Sequence, residues 1–164
     1  FSFFNDLNMS EIKNFILNND VSIEQIKRIK NGDDYIDENG KVFLNSKITK
    51  PPVKGRTYAY CSDTAYYEKI IPEISNVDLL YHEATFMAAL QKSAYEKQHS
   101  TSVDAANIAK LANVSNLLLG HFSARYKDVS PLLNEAKTIF PNTFIAEDNN
   151  TYIIEQNGKI KIKS

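Results

Sequence analysis

Apolar positions along this chain switch between a helical and an alternating period, and the switches predict its elements. Ser10 precedes Ile12, Phe15 and Ile16 at helical spacing, so a short helix capped by Ser10 is predicted over residues 11–17. Ser22-Ile23-Glu24-Gln25 has capping-box spacing ahead of Ile26 and Ile29, and Asn31-Gly32 supplies the stop. Tyr35-Ile36 and Val42-Phe43-Leu44 flank Asn39-Gly40, a hairpin signal. After Pro51-Pro52, residues 57–61 read as an aromatic strand that stops at Ser62-Asp63-Thr64. Residues 66–71 read as a short helix interrupted by Pro72, and residues 77–81 as a strand ending at His82-Glu83. Residues 86–97 read as a helix or a mobile polar segment.

Beyond His99-Ser100-Thr101, the positions of Val103, Asn107, Ile108 and Leu111 carry a helix with hydroxyls available for its cap. Residues 114–119 are an apolar run of the kind found in buried parallel strands, ending at Gly120-His121. Ser130-Pro131 open a helix through Phe140, with proline where its missing N–H costs nothing. Short strands at 143–146, 152–154 and 159–162 close the chain, the last two joined at Asn157-Gly158. Strands alternating with helices predict an α/β fold with a sheet of mixed or parallel character.

Composition narrows the function little. The net charge of -1, from 19 basic and 20 acidic residues, advertises no nucleic acid by total charge, though a local basic patch remains open. A single cysteine, Cys61, excludes an internal disulfide and suits an intracellular, cytoplasmic protein. No apolar run approaches the length of a membrane span. Phe1-Ser2-Phe3-Phe4 reads as the end of a buried strand with no initiator Met, so a fragment of something longer or a processed product is expected.

The candidate chemistry collects at strand ends. Asp63, the pair His82-Glu83 and His121 each follow or finish a predicted strand, and His99 precedes a helix. Rigid strands fix where such side chains point, and a carboxylate with imidazoles suits zinc or another borderline divalent ion. Each residue also has a plainer reading: Asp63 bonded to its own turn, the histidines as satisfied structural groups. Alone, these residues say part of a metal site, for which hydrolysis is the natural chemistry.

Five motifs in order give a resemblance. Pro52-Val53-Lys54-Gly55-Arg56, Ser62-Asp63-Thr64, His82-Glu83-Ala84-Thr85, His99-Ser100-Thr101 and His121-Phe122-Ser123-Ala124-Arg125-Tyr126 resemble those of ribonuclease Z, the tRNA 3′-processing endonuclease of the metallo-β-lactamase superfamily. The resemblance implies the αββα sandwich of that superfamily and a pair of zinc ions, manganese being the other ion such donors accept. It implies Asp63 as a bridging metal ligand and His121 as a terminal one. His99, supported by Glu83, would act near the scissile phosphate, as proton donor to the leaving oxygen or as a stabiliser of its charge. Lys54, Arg56, Ser123 and Arg125 would touch the substrate, with His82, Thr85, Ser100 and Thr101 in support. Precursor tRNA is the implied partner, and a homodimer the implied assembly.

The family's H-x-H-x-D-H signature and a further histidine have no counterpart, since residues 1–62 contain no histidine. Residues 1–164 therefore resemble the C-terminal half of one such domain. That half alone should bind zinc weakly and expose a sheet face meant for the other half. The family's tRNA-clamping arm is not recognisable either. Two other readings remain: a metallo-β-lactamase-like hydrolase for another phosphodiester or ester, and a non-catalytic module binding RNA or a partner through Lys54, Arg56, Arg125 and Lys127.

Overall fold

The structure is a computed structural model that describes residues 15–16, 18–49 and 55–163. The Ser10 cap, the start of the first predicted helix, Phe1-Ser2-Phe3-Phe4 and Lys54 lie outside the described residues. The chain divides into two compact units, Phe1–Lys54 and Gly55–Ser164.

In the first unit, helix α1 (Ile23–Lys30) begins with the predicted capping box. The Gln25 backbone N–H donates to Ser22 Oγ at 3.2 Å, and the Ser22 N–H donates to Gln25 Oε1 at 2.7 Å. Strands β1 (Tyr35–Ile36) and β2 (Val42–Phe43) form the predicted antiparallel hairpin. Its turn is wider than two residues because Asp37 Oδ1 accepts the N–H groups of both Asn39 and Lys41. A one-turn helix, α2 (Asn45–Ile48), follows. The rings of Phe15, Tyr35 and Phe43 meet with centroids 5.6–5.7 Å apart and give this unit its aromatic core.

The second unit is a four-stranded sheet in the order β3 (Tyr58–Cys61), β4 (Leu79–Glu83), β5 (Leu117–Gly120), β6 (Thr143–Ile145). Every pairing is parallel, so each crossover must carry the chain back along the sheet. A 3₁₀ turn (Glu68–Ile70) and α3 (Ile71–Ile74) make the first return. Pro72 sits in the first turn of α3 and opens that helix, where the sequence reading had it interrupting one. A 3₁₀ turn (Ala88–Leu90), α4 (Gln91–Glu96) and α5 (Ser102–Leu111) make the second return, and α6 (Ser130–Ile139) the third. Strands β7 (Thr151–Ile154) and β8 (Ile160–Lys163) pair antiparallel as a separate hairpin. No helix among the described residues is long and apolar enough to cross a membrane.

The core lies between the sheet and its helices. Cys61, Leu80, Leu117 and Leu119 share one face and pack with Ala105, Ala106, Ile108 and Ala109 of α5 and with Leu132 and Ala136 of α6. Alanines on the buried side of α5 let that helix lie close to the strands, and close packing leaves no room to grow. Ala109→Leu should therefore lower unfolding stability by about 1–3 kcal/mol in a urea titration, while Leu111→Ala, at an exposed position of the same helix, stays within about 0.5 kcal/mol. The opposite sheet face carries Tyr58, Tyr60 and Tyr81, with Tyr60 and Tyr81 stacked at 4.6 Å between centroids. Leu79 and Leu118 on the same face are buried, while Tyr58 and Tyr60 are exposed, so what this face shows to solvent is aromatic rather than aliphatic.

Candidate metal centre

Parallel strands deliver all their carboxyl ends to one edge, and side chains that leave that edge converge. Cys61 is level with His82, His82 with Leu119, and Glu83 with Gly120. Asp63 just past β3, Glu83 at the end of β4 and His121 just past β5 therefore arrive at the same edge. Asp63 and His121 both take left-handed backbone conformations, with φ of 50° and 56°. Such strain in non-glycine residues costs about 1–3 kcal/mol and gathers at functional sites. The bends bring His121 Nε2 to 3.3 Å from Asp63 Oδ1. His99 joins them, its ring centroid 5.4 Å from that of His121, and one ligand atom from each of the three lies within 4.8 Å of the others.

Beneath this group sits Glu83, 0% exposed. Its Oε1 accepts the Thr64 backbone N–H at 2.6 Å and faces His99 Nδ1 at 3.0 Å. Its Oε2 accepts the Thr85 hydroxyl at 2.6 Å and the Ser100 N–H at 3.1 Å. Burial works to raise the Glu83 pKa, but hydrogen bonds from Thr85, His99, Ser100 and Thr64 outweigh it and hold the carboxyl below its usual range. An ionised Glu83 can only accept, so His99 must donate Nδ1–H to it and present Nε2 outward. Thr85, having given its proton to Glu83, must accept the Nδ1–H of His121, 2.9 Å away. One buried carboxylate thus sets the tautomer of both imidazoles.

The consequence is a pair of facing lone pairs. With Nδ1–H engaged, neutral His121 turns Nε2 toward an Asp63 oxygen, and two acceptors 3.3 Å apart need a cation between them or a proton on the imidazole. Asp63, with its side chain 72% exposed, and the partly exposed imidazoles of His121 and His99 leave the group open to solvent. A carboxylate and imidazoles of fixed tautomer fit a divalent metal of the zinc class.

The other predicted site residues fall into distinct places. Ser100 Oγ donates to the Thr64 carbonyl at 2.7 Å, tying the His99 loop to the Asp63 turn. Thr101 is the N-cap of α5 in a capping box with Asp104. His82 belongs inside β4, not beyond it: alternation turns it to the helix side, 2% exposed, with Nδ1 at 2.8 Å from the Glu83 carbonyl. Burial lowers its pKa and keeps it neutral. Ser123 Oγ accepts from Arg125 Nε at 3.1 Å, and the Arg125 guanidinium lies 5.0 Å from the centre of the Phe86 ring. Phe86, which the sequence reading gave no role, also has the Lys97 ammonium 5.9 Å from its ring centre and borders His99. Arg56 does not join this group. Its Nη1 donates to the Ile154 carbonyl at 3.0 Å at the amino end of β3, so a four-residue strand at about 3.3 Å per residue separates it from the cluster. Arg56 and Arg125 thus do not form one face.

Searching family models gives no match. Sequence comparison does find relatives: the ribonuclease Z of Bacteroides thetaiotaomicron is 49% identical over 129 residues, covering 79% of this chain and 41% of that protein. The ribonuclease Z of Phocaeicola vulgatus is 49% identical over 136 residues, covering 83% and 44%. The chain spans about two fifths of the length of these curated relatives. Among solved structures, the metallo-beta-lactamase fold protein YhfI from Bacillus subtilis matches with a TM-score of 0.53 and 34% identity, over 57% of this chain and 38% of that one. Over about four fifths of its length, then, this chain is a relative of ribonuclease Z, built on the parallel sheet and flanking helices of the metallo-β-lactamase fold.

Proposed function

We propose that this chain is the C-terminal portion of a zinc-dependent endoribonuclease that removes the 3′ trailer from precursor tRNA and leaves a 3′ hydroxyl. The observation that carries the reading is the Glu83 network. It joins Thr64, Thr85, His99, Ser100 and, through Thr85, His121, so four motifs far apart in sequence share one buried carboxylate. A solvated set of unrelated polar residues would not be wired in this way. The relatives' name, ribonuclease Z, supports the choice of substrate.

In this reading Asp63 and His121 hold metal, with the remaining ligands supplied by the family's first half, and the protein works as a cytoplasmic homodimer. The metal, when bound, supplies Lewis acidity toward the phosphodiester. Everything else is work for the chain's own side chains. His99 carries a proton at Nε2 to the leaving oxygen, and Glu83 stabilises the imidazolium through Nδ1–H. Thr85 holds His121 in one tautomer. Arg125, seated on Phe86 and tied to Ser123, offers the rest of its guanidinium fork to a phosphate oxygen, geometry that arginine suits better than lysine.

The test is cleavage of a trailer-bearing precursor tRNA by the zinc-loaded protein that contains this chain. The expected product ends in a 3′ hydroxyl, disappears on chelation and returns with zinc. The likeness to YhfI gives the fold and names no substrate, so the competing outcome is a broader phosphodiesterase of that fold. Hydrolysis of bis(p-nitrophenyl) phosphate with the precursor left intact would establish that alternative and sink the tRNA reading.

A further inference from the structure

Gly120 ends β5, and nothing about its own backbone demands glycine, because its φ lies outside the left-handed range. What demands it is Tyr81. A Cβ on Gly120 would fall 2.5 Å from Tyr81 Cζ and 2.6 Å from Cε2, and nearer still to the hydroxyl. The two residues are diagonal neighbours on one sheet face, since Tyr81 pairs with Leu118 and Gly120 with Glu83. Aromatic side chains reach across such diagonals. The ring has little freedom to withdraw, because its other side stacks on Tyr60 at an interplanar angle of 16°.

The tip of Tyr81 therefore lies where β5 turns into His121. Burial, with Tyr60, Tyr58 and Glu83, raises the pKa of the Tyr81 hydroxyl, while the His121 backbone N–H pulls it down, as a donor does. On the other side of the same residue, Thr85 Oγ lies 2.9 Å from the His121 carbonyl oxygen as well as from Nδ1. His121 holds a left-handed conformation, rare for a residue with a Cβ, with Thr85 on one side of it and the Tyr81 tip against the Gly120 that precedes it.

We infer that Tyr81 is a positioning residue for His121: its ring occupies the notch left by Gly120, and its hydroxyl end lies against the last residue of β5, bracing the strained turn that aims Nε2 at Asp63. The inference rests on the reading of His121 as a metal ligand. Tyr81 touches neither metal nor substrate and acts through the peptide it holds. Partners that fix a ligand's orientation are worth about 10- to 100-fold in metal affinity.

The experiment is a zinc titration and a cobalt visible spectrum on the intact protein containing this chain, for Tyr81→Phe, Tyr81→Ala, Gly120→Ala and the double variant Tyr81→Ala/Gly120→Ala. Tyr81→Phe keeps the ring and the stack on Tyr60, so the metal-free protein should melt as wild type. Its zinc affinity should nonetheless fall about tenfold, and its cobalt spectrum should change. Gly120→Ala should weaken zinc at least as much. In the Tyr81→Ala background, the added Gly120→Ala should cost nothing more, because the clash is gone. Asp63→Ala and His121→Ala serve as controls. Wild-type zinc affinity in Tyr81→Phe, with both controls losing metal, overturns the positioning role and leaves the metal site standing. Full zinc binding in both controls overturns the metal reading itself. Additive losses in the double variant would remove Gly120 as the notch.

Discussion

His99→Ala should slow precursor-tRNA cleavage by about two to four orders of magnitude while leaving bound zinc unchanged, a result read from single-turnover rates and elemental analysis of the same sample. The size is that of a missing general acid. The direction of the metal result follows from how His99 is held. Its Nδ1 is spent on Glu83 at 3.0 Å, and its side chain is 24% exposed, so Nε2 is the atom left to face solvent and a substrate phosphate. A ring nitrogen of His99 lies within 4.8 Å of ligand atoms of Asp63 and His121, which makes the metal count decisive. Loss of zinc together with activity would make His99 a ligand and leave the leaving oxygen without its proton donor. Asp63→Ala provides the contrast: as a ligand, it should lose metal and activity together.

How much of this was legible in the sequence depends on which force set each feature. Caps, turns and apolar runs are local, and Ser22, Thr101, Pro131 and the run ending at Leu119 were readable because each acts within a few residues of itself. The end of β4 was not. Hydropathy stops a strand at its first ionisable residue, yet β4 continues through His82 and Glu83 because the carboxylate finds four donors, Thr85 two residues on and Thr64, His99 and Ser100 from two other segments. Three of those donors are tertiary, so no short window along the chain contains the set. Thr85 was expected only as a supporting residue, and its particular task, bridging Glu83 and His121, depends on the register that sets Glu83 level with Gly120. Arg56 shows the opposite limit. Its motif lies close to Asp63 in sequence, but an intervening strand carries the two to opposite edges of the sheet. Order along the chain identified the resemblance, and strand direction decided which residues meet.

Glu83→Gln should be the most damaging isosteric change in the cluster, because all four of its partners are donors. Glutamine offers one acceptor oxygen and one donor nitrogen in the same space. If its oxygen stays toward Thr64 and His99, the amide nitrogen faces the Thr85 hydroxyl and the Ser100 N–H. Thr85 can turn its proton to the His121 carbonyl, 2.9 Å away, but the Ser100 N–H cannot move and is left buried without an acceptor. Such a group costs about 1–3 kcal/mol, which a denaturant titration at neutral pH should show. Activity should fall by about one to three orders of magnitude, since His99 keeps its neighbour but loses the charge that stabilises its imidazolium. The pH dependence gives a second signature with a fixed sign. The folded pKa of Glu83 lies below its unfolded value, so its contribution to stability is present above about pH 4.3 and is lost as pH falls through the folded pKa. Buried, neutral His82 erodes stability earlier, as pH drops below about 6.5, because the unfolded chain takes up a proton that the folded one refuses. Glu83→Gln should therefore remove the lower of these two phases and keep the upper. A variant with an unchanged acid limb would show that the carboxylate is already protonated in the fold, and the tautomers of His99 and His121 would then have to be assigned the other way round.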